Sequence, residues 1–258
     1  MVNSPGRPTE NEGDILRRAK AVAELRDVLR VSVDDVAPPV SDMLGLLIYD
    51  ILNQKTVATT ARTVFAALVG RFPTWTELLA ASAEDIEEVI HADGLAHRRA
   101  ARIQQLITRI VADFPDGTFE TLNDWEDSAI RSYLTGLPAV GDPTAQHVLL
   151  YAFGRPILPL TWTLKRLFTR LGIIDHTARS EEIFVLAAAL LPRGSHRTLF
   201  EQLTAVARLY CRPRAPRCRQ CPLTANCTYY RRHHGPRLLT NPHARRRPGR
   251  PAAKRPTA

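Results

Sequence analysis

No stretch of the 258-residue chain approaches the ~20 consecutive apolar residues that a membrane-crossing helix needs, so no span is expected. Residues 1–13 are polar and lack an apolar core, so no secretory leader is expected either. Sustained alternation of apolar and polar residues is missing, and with it the mark of a half-buried strand. Cysteine is scarce: four residues, all in one short segment. Acidic residues are absent from Arg231 to Ala258.

That last absence accounts for the net charge. The chain carries 35 Lys+Arg against 26 Asp+Glu, a formal +9. Residues 231–258 hold eight Arg and one Lys, so the body before them is neutral overall. The segment is rich in proline and poor in apolar anchors, which predicts a disordered basic tail. Two readings stay open for it: an arm for a polyanion, or a solubilising extension. The body, with 45% apolar and 24% charged residues over the whole chain, has the composition of a globular protein with a real core.

The body reads as helical throughout. Leu44, Leu47, Ile48, Ile51 and Leu52 fall on one helical face, as do Ile103, Leu106, Ile107, Ile110, Val111 and Phe114. Leu164, Leu167, Phe168 and Leu171 form a third stripe, which Gly172 is placed to end. Leu199, Leu203, Val206 and Tyr210 form a fourth, leading into the first cysteine. Ser82 and Asp85 have the spacing of an N-terminal capping pair. The spaces between Pro and Gly breakers fit roughly ten short helices, at ~11–12 residues each.

The cysteines are Cys211, Cys218, Cys221 and Cys227, spaced Cys-x6-Cys-x2-Cys-x5-Cys. Four thiolates in one loop suit a tetrahedral metal ion or an iron–sulfur cubane, and spacing alone does not separate zinc from iron. Arg212, Arg214 and Arg217 lie between the first two ligands. They suit phosphate contact, or equally the neutralisation of a thiolate site.

With this spacing the chain resembles the endonuclease III family of helix-hairpin-helix DNA glycosylases, over about Asp42 to Tyr230. Three further segments carry the resemblance. Leu137-Pro138-Ala139-Val140-Gly141-Asp142-Pro143-Thr144-Ala145 is similar to the family hairpin Leu-Pro-Gly-Val-Gly-x-Lys-Thr-Ala. Phe153-Gly154-Arg155-Pro156, followed by Leu158 and Leu160, is similar to the lead into the catalytic aspartate. Leu52-Asn53-Gln54-Lys55-Thr56 places Gln54 where the family has a glutamine beside the extrahelical base. The resemblance implies a [4Fe–4S] cluster on Cys211, Cys218, Cys221 and Cys227. It also implies double-stranded DNA as partner, with contacts from Gln54, from Leu137, Val140, Gly141 and Thr144 of the hairpin, and from Lys165, Arg212, Arg214 and Arg217. Backbone N–H groups at the start of the helix after the hairpin would hold a phosphate.

Two positions break the pattern. Where bifunctional members have a nucleophilic lysine this chain has Pro143, and where the family has its aspartate it has Thr161. A prolyl nitrogen cannot form a Schiff base, and a threonine carries no charge to stabilise an oxocarbenium-like sugar. No carboxylate occurs from Pro143 to Ile173, so a shift in alignment does not restore one. Lys165 shares a helical face with Thr161, as a phosphate contact or a displaced nucleophile. Trp162 is a candidate base-stacking residue or a core aromatic. His147 on the helix after the hairpin, and the stretch holding His91, His97, Arg98 and Arg99, are candidate DNA contacts or ordinary surface. Ala139 stands at a family glycine, which predicts a strained turn. No residue is assigned as catalytic.

The expectation is an all-α, two-lobed helix-hairpin-helix glycosylase fold with a C-terminal iron–sulfur loop. Residues 1–13 are expected to be disordered, 14–41 with 151–230 to form the cluster lobe, 42–150 the lobe with the hairpin, and 231–258 the tail. The expected function is DNA binding of base-excision-repair type without the standard glycosylase and lyase chemistry, in a monomeric cytoplasmic protein, nucleoid-associated in a bacterium. Two alternatives stand beside it: a divergent active glycosylase with other catalytic groups, and a zinc-stapled helical interaction module that does not bind DNA.

Overall fold

The computed structural model describes residues 12–29, 36–91, 95–115, 119–174 and 180–234, and every regular element among them is helical. The first helices are α1 (Glu12–Val28), α2 (Met43–Asn53), α3 (Ala58–Arg71), α4 (Trp75–Ala80), α5 (Ala83–Ile90) and α6 (Ala96–Asp113). A 3-10 turn, Glu120–Asp124, precedes α7 (Asp127–Thr135) and α8 (Asp142–Tyr151). There follow α9 (Trp162–Leu171), α10 (Ser180–Ala189), α11 (Ser195–Leu209) and α12 (Thr228–His234), with two 3-10 turns between the last two. None of the described helices is long and apolar enough to cross a membrane.

The apolar stripes end up in one continuous core. Helix α2 was expected to bury one face, but Met43 to Tyr49, Ile51 and Leu52 are all buried. The reason is its position: α3, α6 and α8 surround it, and only Asp50 and Asn53 keep partial exposure. Asp42 starts this helix by accepting a hydrogen bond from the Gly45 N–H at 2.8 Å. A Cβ on Gly45 would come within 2.6 Å of Val40, so glycine lets the entering chain lie against α2.

Helices α1 and α10 pack together, as do α9 and α11, while α12 closes over α9. Helix α8 touches both α2 and α11, and so joins the helices on either side of it. Local signals set the ends. Ser82 and Asp85 form a reciprocal capping box, as do Thr74 and Glu77. Gly172 ends α9 in the left-handed region at φ 82°.

Two expected boundaries move. Helix α1 begins at Glu12, inside the segment expected to be disordered, with Glu12 and Asp14 in its first turn to oppose the helix dipole. Helix α12 runs through Arg231 and Arg232 to His234, so the first residues of the expected tail are helical. The rest of that tail lies outside the described residues.

Candidate functional site

The hairpin between α7 and α8 is tight. Gly136 ends α7 by donating its N–H to the Ser132 and Tyr133 carbonyls. Leu137 and Val140 are buried and fasten the turn to the core, so their side chains do not face solvent. The resemblance places them among DNA contacts, and in the structure both side chains are enclosed. Ala139 has φ 62°, a left-handed conformation that costs an L-residue ~1–2 kcal/mol, so the turn is strained as expected. Gly141 is exposed and caps α8. Pro143 sits in the first turn of α8, where helix geometry asks for no N–H donor, so it fits the helix while removing a donor from the outward face. In place of that donor the end of α8 holds Asp142, which accepts from Arg131 of α7 and, at 2.7 Å, from the Gln146 amide. Gln146 in turn accepts the Leu160 N–H at 3.1 Å and ties the hairpin to the segment before α9.

Gln54, Pro143, Thr144 and Thr161 come from three parts of the chain and open onto one cavity of about 300 Å³. Thr161 is the N-cap of α9, and its hydroxyl accepts from the Leu164 N–H at 3.3 Å. Gln54 ends α2, and its carbonyl accepts from Arg99, which also donates to the Thr56 hydroxyl at 2.7 Å. Arg99 was a candidate phosphate contact, but it is only 3% exposed. It holds the chain after α2 in place. His97 instead lies at the surface, 2.8 Å from Glu87.

The same cavity contains a pair that sequence reasoning missed. The Asp50 carboxylate from α2 and the His147 Nδ1 from α8 are 3.1 Å apart, and both side chains line the cavity. The two side chains are 13% and 15% exposed. Tyr151 and Phe200 pack around the imidazole, with ring centroids at 4.7 and 6.0 Å. Arg208 lies exposed at the edge, and the buried Thr204 hydroxyl has no hydrogen-bond partner among the described residues. One sequence signal was available: Asp50 is the only charged residue in a mostly apolar α2. Lys165 is not on the cavity wall; its ammonium lies 5.4 Å from the centre of the Trp162 ring, itself 79% exposed.

The four cysteines wall a second cavity, beside Arg170 and Tyr229. Yet among the described residues no three His, Cys, Asp or Glu side chains converge so as to hold one metal ion. Burial, and then the neighbouring thiols, push the Cys218 thiol up; burial pushes Cys221 up to about 11. Two arginines of α9 fasten the loop. Arg166 donates to the Cys211 carbonyl at 2.9 Å and to the Ala207 carbonyl at 3.2 Å. Arg170 donates to the Arg212 carbonyl at 2.7 Å and lies over the Tyr229 ring. Arg212, Arg214 and Arg217 are exposed.

An all-helical chain with a helical hairpin beside a polar cavity has the architecture of the helix-hairpin-helix DNA glycosylases. Solved structures of a thermostable thymine-DNA glycosylase and of a non-covalent endonuclease III–DNA complex share this fold, each with a TM-score of 0.65 and 21% identity. They cover 85% and 87% of this chain, and each is itself covered over 98% of its length. The chain belongs to the HhH-GPD superfamily of base excision DNA repair proteins, whose family pattern matches residues 48–193. Among similar proteins are endonuclease III of Thermotoga maritima, 28% identical over 74% of this chain and 85% of its own, and the thymine/uracil-DNA glycosylase of Pyrobaculum aerophilum, 28% identical over 74% and 82%.

Proposed function

We propose that this protein binds duplex DNA in base excision repair, holds an extrahelical nucleotide in the cavity between α2, α8 and α9, and does not use the Schiff-base lyase route. The observation that carries the reading is the meeting of the hairpin residues Pro143 and Thr144 with Gln54 and Thr161 around one cavity. Its size is at the small end of ligand pockets, ~300–1,000 Å³. Similar proteins named for endonuclease III and for thymine/uracil-DNA glycosylase support the same setting. Gly141 and Thr144 offer backbone to a phosphate, and Arg208, Arg212, Arg214 and Arg217 offer exposed cations. With proline and threonine at the two positions discussed above, neither a lysine imine nor an aspartate at the start of α9 is available.

The cysteine spacing and the family resemblance support a [4Fe–4S] cluster on Cys211, Cys218, Cys221 and Cys227, all of which line the second cavity. Bound there, the cluster would order the loop that presents Arg212, Arg214 and Arg217. Residues 14–41 with 151–230 would form the lobe around it.

The test is fluorescence anisotropy with the full-length protein, purified without oxygen, on duplexes with and without a tetrahydrofuran abasic site. Tighter binding to the abasic duplex is expected, together with bound iron and visible colour. Deletion of residues 235–258 should flatten the dependence of affinity on salt, since each phosphate contact releases ~0.9 counterions. Failure to bind either duplex refutes the reading, and a covalent adduct under borohydride refutes the absence of lyase chemistry.

A further inference from the structure

We propose that Asp50 and His147 together hydrolyse the N-glycosidic bond of the extrahelical nucleotide, in place of the lysine and aspartate this chain lacks. The inference rests on the DNA-binding reading above. It starts from the cavity wall. Pro143 and Thr161 bring no charge, but Asp50 brings a carboxylate to the same space from a different helix.

The pair is built rather than incidental. Both Asp50 oxygens lie 3.1 Å from His147 Nδ1, so the imidazole donates its Nδ1 proton to the carboxylate. That tautomer leaves a lone pair on Nε2, and among the described residues Nε2 has no protein partner. Tyr151 and Phe200 fix the plane of the ring. With the imidazole neutral, the pair carries one negative charge in a mostly buried wall, where a charge acts more strongly than in solvent. Arg208 is the other charged side chain on this cavity, and its exposure suits it to a flanking phosphate.

The chemistry balances with water as the only co-reactant. The C1′–N bond breaks and its electron pair leaves with the base. The positive charge that develops on the sugar is opposed by the Asp50 carboxylate. A water oxygen forms the new bond to C1′, one of its protons passes to His147 Nε2, and the departing base recovers a proton from there. The products are a free base and a hemiacetal sugar. His147 is the catalytic residue, and Asp50 positions it and supplies charge.

The charge can be read without knowing the lesion. A duplex with a pyrrolidine abasic analogue is cationic at the sugar ring, whereas the tetrahydrofuran analogue is neutral. The full-length wild type should bind the pyrrolidine duplex at least about tenfold more tightly than the tetrahydrofuran duplex, as expected of a transition-state mimic. Asp50→Asn should abolish that preference, bringing the ratio of the two affinities to about one. Equal wild-type affinity for the two analogues overturns the inference and leaves the DNA-binding reading intact; no affinity for either refutes that reading itself. On duplexes with uracil or thymine opposite guanine, 8-oxoguanine, or 1,N6-ethenoadenine, the wild type should release at least one base. His147→Gln should slow that release by about a hundredfold or more. No release from any of the four, or unchanged release by His147→Gln, overturns the catalytic role.

Discussion

Arg131 on α7 and Asp142 at the start of α8 form an ion pair across the hairpin, so the N-terminal end of α8 meets a carboxylate of its own chain. That carboxylate partly neutralises the positive end of α8. Arg131 is in turn held more firmly protonated by that contact.

Replacing Asp142 with asparagine should therefore strengthen binding to an undamaged duplex, by about threefold to tenfold at low salt, since one repulsive charge near a phosphate is worth ~1 kcal/mol. The pair is well exposed, so the loss of stability should stay below about 1 kcal/mol. Anisotropy at two salt concentrations checks the first part and urea unfolding the second. Weaker binding by Asp142→Asn would mean that the carboxylate organises the hairpin rather than opposing DNA.

Ala139 supplies a second prediction. Its φ of 62° strains an alanine but not a glycine. The relief is offset in part by the greater freedom of glycine in the unfolded chain, so Ala139→Gly should stabilise the protein by about 0.5–1 kcal/mol. A rise in thermal midpoint would be the sign of it, and a fall would show that the Ala139 methyl makes contacts worth more than the strain.

Ala139 also illustrates what the sequence could reveal. Its place in a hairpin pattern that carries glycine elsewhere was enough to foresee the strain, because backbone conformation is a local property. The capping pair Ser82–Asp85 and the stop at Gly172 were legible for the same reason. Burial was not. Leu137 and Val140, contact residues by the hairpin resemblance, have buried side chains, and Arg99, in a stretch with the two readings of DNA contact and ordinary surface, is enclosed beneath the chain after α2. The Asp50–His147 pair was the least visible, since its members are 97 residues apart and only the packing of α2 on α8 joins them. A single charge in an apolar helix was the hint, and without a partner in view it has no assigned role.

Arg166 ties α9 to the cysteine loop through the Cys211 carbonyl. Its guanidinium is held somewhat below its usual range by burial. Arg166→Ala would leave two half-buried carbonyls without this donor, at ~1–3 kcal/mol. The variant should unfold at lower urea and, on the cluster reading, lose iron faster to a chelator. Unaltered unfolding would place the loop's stability in Arg170 and the core instead.

The last prediction concerns alkaline pH and three tyrosines. Burial raises Tyr49, Tyr133 and Tyr151 above the ordinary 10.0, and the Glu201 carboxylate, which accepts the Tyr151 hydroxyl at 3.0 Å, raises Tyr151 further. The folded chain thus keeps protons that the unfolded chain releases as pH passes 10. The unfolded state then binds fewer protons than the native one, so stability falls as pH rises. The contribution is fully present below pH 10 and lost above it, with a slope approaching ~1.4 kcal/mol per pH unit for each tyrosine that stays protonated. Tyr151→Phe removes one of the three, at the expense of the Glu201 contact. Its urea-derived stability should start lower than that of the wild type at pH 9 and decline less steeply toward pH 11. Parallel curves for the two proteins would show that Tyr151 ionises in the folded state as readily as in the unfolded one, and that Glu201 exerts no field on it.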